Sequence, residues 1–490
     1  MDSTDQTSDT MADQTVTVTD QTVTVTDETS DTVADQTVTM ADQTSVAMAD
    51  QTSDTVAETK EDGQVVTPWT VTSKTGIDYM KLIKQFGCKS IEPELLKKFE
   101  EVTRMRIHPW LRRGKFFSHK QLEVILDCVK AGKPVGIYTG RGPTSEAMHM
   151  GHMLPFKFTK YLQDALGAIV IIQMSDDEKY YFDKAGKPIE YYNDLCRKNA
   201  RDIIACGFDP NKTFIFSNLE TLGGDLYKVS ALIAGSTTGN QIKGIFGIGL
   251  DNTVGQIMWP VFQSSPAFWQ AFPKIFLPDT TILVPMAIDQ DPYFRMARDF
   301  AAKFASDGYI KPATIHTQFL PGLGGIEGKA SSSEKSVPPI FMTDTEEEAR
   351  LKIKTYAFSG GGQTKKDHID YGANLEVDVA YQYLVYFLED DEELKRIATE
   401  YRYGRMMTAE IKKIMADKIC EILKDHQTKR NEITDETIAL FFNPNREFDR
   451  TVPVREEIKL HDDSVYKSYG LNFDIYFGLP AFTKDKKLNE

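Results

Sequence analysis

Between about residue 63 and residue 355, short apolar runs rich in β-branched residues alternate with stretches of helical period. The runs at 135–139, 168–174, 213–216 and 281–288 are each followed by polar or glycine-rich residues. An apolar run without polar alternation suits a strand covered on both faces, so the pattern predicts an α/β unit on a parallel sheet over 63–355. Beyond 355 the strand signals stop and helical period takes over. Thr408 is expected to cap a helix whose apolar positions Ile411, Ile414, Met415, Ile419, Ile422 and Leu423 share one face, and 356–446 reads as a mostly helical second domain. Residues 447–490 mix charged and aromatic side chains without a clear period, and no role is read from them.

The first 62 residues have a different pattern. They alternate Val with Thr around a degenerate repeat beginning at Asp13, Asp20, Asp27, Asp35, Asp42 and Asp50, with no aromatic residue and no Leu. A coiled coil needs a sustained apolar seam of good helix formers, so a disordered tail is expected. Its charge changes the picture of the whole. The tract holds 15 acidic side chains and one lysine, which leaves 57 acidic against 56 basic residues after it, so the net charge of −15 belongs almost entirely to the tail. The remainder is balanced, and local basic patches on it can still meet phosphate. Cys88, Cys128, Cys196, Cys206 and Cys420 are scattered without a CxxC pair and read as free thiols in a reducing compartment. With neither a long apolar span nor a signal-peptide layout, a cytoplasmic location without membrane attachment is expected.

Chemistry concentrates in two places. Residues 137–152 read IYTGRGPTSEAMHMGH, a strand running through a glycine-rich loop into a helix. Loop glycines admit a nucleotide close to the backbone, and a helix start offers unpaired N–H groups to phosphate. His149 and His152, with Gly151 between them, can donate to phosphate oxygens as charge builds. On their own, two histidines at this spacing fit a structural or metal-binding pair equally well. The strand, the loop and the helix tilt the reading toward phosphate. The second place, 328–336, reads GKASSSEKS. A small polar loop with an early lysine, Lys329, suits a flap that brings a cation over pyrophosphate, although alone it would pass for a solvated linker.

Together HMGH and KASSS resemble the paired HIGH and KMSKS signatures of class I aminoacyl-tRNA synthetases. The stretches YTGRGP at 138–143, IQMSDDEKY at 172–180, AIDQDPYFR at 287–295, AFSGG at 357–361 and YFLEDD at 386–391 narrow the resemblance to the eukaryotic cytoplasmic tryptophanyl-tRNA synthetase family, over roughly residues 65–446. The resemblance implies a Rossmann-like catalytic domain, a helical anticodon-binding domain, a homodimer, and tryptophan, ATP and tRNA(Trp) as substrates. It implies catalytic roles for His149, His152, Lys329, Ser331 and Ser333, with ATP held by Thr139, Gly140, Arg141, Gly142, Gly151 and those two histidines and lysine. Tyr138, Gln173, Glu178, Lys179, Gln263, Gln290 and Phe294 would form the tryptophan site, Tyr138 and Gln173 accepting from the indole N–H. Ala330 and Ser332 depart from the family loop, so Lys329 alone supplies a cation at a family position, with Lys335 nearby.

Asp176 and Asp177 suggest a fixed magnesium site. Adjacent residues on an extended segment would point to opposite faces, so magnesium is expected to arrive with ATP and be held mainly by its phosphates. The rival readings are a tyrosyl-tRNA synthetase of the same architecture, a small-molecule nucleotidylyltransferase, which the helical region argues against, and a non-catalytic regulator.

Overall fold

The four apolar runs become neighbours in one sheet. The computed structural model describes residues 64–73, 76–183, 185–329, 336–470 and 477–483; the repeat tract lies outside them. In chain order the strands are β1 (Val65–Val66), β2 (Val71–Thr72), β3 (Lys89–Ser90), β4 (Phe116–Lys120), β5 (Val135–Arg141), β6 (Ile169–Met174), β7 (Thr213–Ser217), β8 (Thr281–Ala287), β9 (Ala313–Thr317), β10 (Pro321–Gly322) and β11 (Gly325–Lys329). Seven form the main sheet in the order β3-β4-β9-β8-β5-β6-β7. The pairs from β9 to β7 are parallel, whereas β4 lies antiparallel to β9 and β3 antiparallel to β4. The expected parallel sheet therefore carries an antiparallel edge. From β5 the chain winds outward to β6 and β7, then returns to the other side of β5 for β8 and β9. The strand order reverses between β5 and β8, the place where open α/β sheets bind ligands.

A second, four-stranded sheet of order β1-β2-β11-β10 went unread, because its strands are too short to carry a period. The β1–β2 hairpin turns through Thr67–Thr70, with Thr67 N–H donating to Thr70 O at 2.8 Å. Gly328 on β11 pairs with Thr72 on β2, which joins the start of the Lys329 loop to this hairpin.

The helix expected from Thr408 spans Thr408–Asn431; of its six expected apolar positions Ile411, Met415, Ile419 and Leu423 are buried in the main core, and Ile414 and Ile422 pack against it. Thr408 is not its cap. Met407 caps it, and Glu410 reaches back to accept from Met407 N–H at 2.6 Å. The Thr408 hydroxyl instead meets Ser359 and Tyr401, each at 3.2 Å. One apolar cluster runs from Ile91 to Phe477 and takes in the helices after residue 355 without a break.

One buried carboxylate sits at the meeting point of these parts. Asp202, fully buried on the helix Ile189–Ile204, accepts from Met148 N–H at 3.0 Å through Oδ2. Through Oδ1 it meets Arg430 Nε at 2.6 Å and His426 Nε2 at 3.3 Å, both on the Thr408–Asn431 helix.

The segment after 447 runs as a strap along the body. Phe448 enters the core beside Phe214, and Lys212 Nζ donates to the carbonyls of Asp449 and Thr451 at 3.0 and 2.7 Å. Pro453 crosses Gly167, where a Cβ would lie 2.4 Å from Pro453 Cδ and where φ is +66°, so glycine is required twice over. Arg455 donates to the carbonyls of Thr103 and Ala165, Tyr466 to Glu100 at 2.7 Å, and Arg402 to Pro480 and Ala481.

Arg430→Ala should lower unfolding free energy by about 3 kcal/mol, the scale of breaking a buried ion pair from one side. Guanidinium denaturation followed by tryptophan fluorescence measures it, and a loss under about 1 kcal/mol would show that Asp202 does not depend on Arg430.

Candidate active site

A cavity of about 340 Å³ opens at the C-terminal ends of β5 and β8, at the reversal point of the sheet. Thirteen of the residues expected to hold ligand line it: Tyr138, Thr139, Gly140, Arg141, Gly142, His149, Gly151, His152, Glu178, Lys179, Gln263, Gln290 and Phe294. Gln173 lies just behind the wall on β6, beside Tyr138 in register across from Gly140.

The inner end is aromatic and accepting. Tyr138 and Phe294 meet edge to face at 5.8 Å between ring centres. The Tyr138 hydroxyl lies 2.6 Å from Gln173 Oε1 and 2.9 Å from the carbonyl of Gln263. A phenol has one proton, so it can satisfy only one of these two acceptors. A flat ring carrying one N–H donor supplies what is missing. Burial pushes the Tyr138 hydroxyl well above its ordinary value, so it stays protonated.

The outer end is built for anions. His149 caps the helix Met150–Leu166 rather than standing on it, its Nδ1 accepting from Gly151 N–H at 3.2 Å. That bond puts the proton of the neutral ring on Nε2. The His149 and His152 rings stack 3.5 Å apart. Arg141 is buried, donates through Nε to Asn199 Oδ1 at 3.2 Å, and has an NH2 group without a partner among the described residues. Burial pulls its guanidinium down to about 10, and it remains charged at neutral pH. A buried cation with an unmet donor is a strong attractor for phosphate.

Glu178 and Lys179 form an ion pair at 2.8 Å between the two ends, and Ser175 donates to Glu178 at 2.8 Å. Gly142 makes this possible, since a Cβ there would lie 2.1 Å from Lys179 Cε. Asp176 and Asp177 are not on an extended segment, as the sequence suggested, but in the first turn of the helix Asp176–Phe182. Their oxygens face Ser217, Asn193 and Asn218, away from the cavity.

A family model described as tRNA synthetases class I (W and Y) matches residues 130–424. The cytoplasmic tryptophan–tRNA ligase of Rattus norvegicus is 47% identical over 394 residues, covering 79% of this chain and 81% of that one. Its counterpart in Dictyostelium discoideum is 47% identical over 397 residues, covering 79% and 97%. The crystal structure of Plasmodium falciparum tryptophanyl-tRNA synthetase matches with TM-score 0.70 at 45% identity, covering 75% of this chain and 96% of that one. The chain belongs to the class I tRNA synthetases.

In this synthetase the chain that follows the second signature segment is tied to the first. Met150 N–H donates to Ile340 O at 2.9 Å and Met342 N–H to Met148 O at 2.8 Å, so the chain returning from the Lys329 loop is stitched to the histidine segment. Lys329 is the last residue of β11; its side chain, together with Ala330, Ser331, Ser332, Ser333 and Lys335, lies outside the described residues.

Sequence reasoning missed several lining residues of the synthetase. Trp69 and Pro68 come from the hairpin turn, with Trp69 Nε1 donating to Phe246 O at 3.1 Å and its ring 4.7 Å from Phe182. Paired β-branched residues around a proline-containing turn were the available signal. Trp259, Asp289 and Tyr293 line the cavity near positions that were found, and Gln318 and Phe319 follow β9, a strand that carried no apolar run.

Gly142→Ala should displace Lys179 and break its pair with Glu178. Amino-acid-dependent pyrophosphate exchange should fall about 10-fold or more, on the scale of one lost charge-assisted contact, while the thermal midpoint stays put because only the flexible ends of Lys179 and Glu178 must move. Unchanged exchange would show that the pair is not used.

Proposed function

We propose that the protein is a cytoplasmic tryptophan–tRNA ligase, which activates L-tryptophan with ATP and transfers it to the terminal adenosine of tRNA(Trp). The observation that carries the reading is the inner wall, where Tyr138, Gln173 and the Gln263 carbonyl offer one acceptor more than the local proton can satisfy. An indole N–H meets that need. A tyrosine phenol would bring lone pairs as well, and among the described residues the Tyr138 proton and the Gln173 amide protons are already engaged, so the tyrosyl alternative is not favoured.

The substrate's ammonium and carboxylate lie against Glu178 and Lys179, exchanging partners with that ion pair, and Gln290 supplies a further acceptor. ATP lies along Thr139–Gly142 with its phosphates at Arg141, Gly151 and the two histidines, bringing magnesium with it. The tryptophan carboxylate attacks the α-phosphorus in line, the P–O bond to pyrophosphate breaks, and tryptophanyl-adenylate forms. The protein contributes positioning and charge stabilisation. His149, His152 and Lys329, with Ser331 and Ser333 of the loop, act on the departing pyrophosphate. A ribose hydroxyl of tRNA then attacks the adenylate and releases AMP, while residues 356–446 read the anticodon loop, whose splayed bases are the kind of feature proteins recognise in RNA. Exposed Leu250 and Val254 support a homodimer, since apolar groups this open to water suit burial against a second copy.

Tryptophan should support pyrophosphate exchange at least about 10³-fold better than tyrosine in kcat/KM, and equal use of both would overturn the reading. His149→Ala, His152→Ala and Lys329→Ala should each slow adenylate formation by about 10²-fold or more with tryptophan affinity nearly unchanged. Single-turnover rates and equilibrium binding separate the two effects. Sedimentation at micromolar concentration should give a mass near twice 55.3 kDa; a value near 55.3 kDa would remove the dimer.

A further inference from the structure

Behind the inner wall the acceptors are held by a row of buried side chains that leads away from the cavity. Tyr138, Gln173, Asn218 and Asp177 are each no more than 2% exposed. Gln173 Nε2 donates to Asn218 Oδ1 at 2.9 Å and also to the Phe262 carbonyl at 3.2 Å. Asn218 Nδ2 donates to Asp177 Oδ1 at 2.9 Å, and the same oxygen accepts from Glu178 N–H at 2.8 Å.

An amide side chain can face either way, but this row has one direction. A backbone N–H can only donate, so Asp177 Oδ1 must be an acceptor. Asn218 therefore turns its NH2 toward Asp177 and its oxygen toward Gln173. Gln173 must in turn present NH2 to Asn218, which leaves Oε1 toward Tyr138 and the cavity. Burial pushes the Asp177 carboxyl up to about 7, yet the direction holds on either side of that value. The Phe262 carbonyl, which can only accept, holds the Gln173 NH2 at the other end of the row whatever the protonation of Asp177. With Gln173 reversed, its NH2 would donate to the Tyr138 oxygen, and the Gln173 acceptor for an incoming N–H would be gone.

We propose that Asp177 and Asn218 are positioning residues that, together with the Phe262 carbonyl, fix the polarity of Gln173, so that the inner wall selects an aromatic ring with an N–H donor. This rests on the tryptophan reading above, and the test separates the two. Equilibrium affinity is measured for tryptophan and for benzothienylalanine, a ring of nearly the same shape with sulfur in place of N–H. The wild-type protein should prefer tryptophan by about 10-fold or more. Asn218→Leu and Asp177→Ala should bring that preference to within about threefold, with benzothienylalanine affinity changed by less than about threefold. Asp177→Asn should keep the preference, because its side-chain oxygen can still accept from both donors. Should Asp177→Ala fail to fold, Asn218→Leu and Asn218→Ser read the same ratio. Parallel weakening of both ligands, or an unchanged ratio in the Asn218 variants, overturns the inference. Failure of the wild-type protein to bind tryptophan overturns the functional reading instead.

Discussion

The placement of the catalytic segment depends on the carboxylate of Asp202. A charge removed from water is tolerated only when most of its lone pairs are met, and here the donors come from three directions: the backbone of Met148, the guanidinium of Arg430 and the ring of His426. The first of these belongs to the turn that carries His149. The other two belong to a helix more than 250 residues further along the chain. The ion pair therefore sets where the histidine segment stands relative to the helical region, and the backbone bonds from Met148 and Met150 to Met342 and Ile340 complete the frame. A loop of glycines, free to adopt many shapes, is held in one by groups outside it.

The same division appears at the inner wall. Side chains that touch the cavity are held in register by side chains that do not, and the held property there is hydrogen-bond direction as much as position. Tyr138 and Gln173 would be of little use as acceptors if the amide behind them could turn over. Ligand contact and the hydrogen-bond direction behind it are thus carried by different residues.

How much of this was legible follows from where each signal comes from. The four central strands were readable because burial on both faces demands continuous apolar runs. β4 and β9 were not, because Ser118, His119, Thr314 and His316 are buried polar residues, with His316 held by Ser118 at 3.0 Å and by Asp291 at 3.1 Å and His119 accepting from Leu122 N–H at 3.1 Å. A polar strand looks like a loop until its partners are known. Twelve of the thirteen cavity residues were legible through long motifs and Gln263 through the family resemblance, whereas Trp69, Gln318 and Phe319 arrive from short strands or from the residues that follow one. Asp177 and Asn218 were hidden for a further reason: their effect passes through a chain of bonds between residues 35 to 45 positions apart. The segment after 447 has no period because it forms few bonds with itself. Its carbonyls are met by arginines and a lysine that belong to other elements.

That last arrangement bears on the order in which the molecule can be finished. Synthesis runs from the N-terminus, and domains generally fold as they emerge. Arg106 and Lys212 are made more than 230 residues before the carbonyls of Lys459 and Thr451 that receive their donors, and Arg402 79 residues before that of Ala481. The groove beside Gly167 stays open for the same interval. Vectorial folding can thus assemble the sheet and the histidine segment first, and the strap closes over a surface that is already formed.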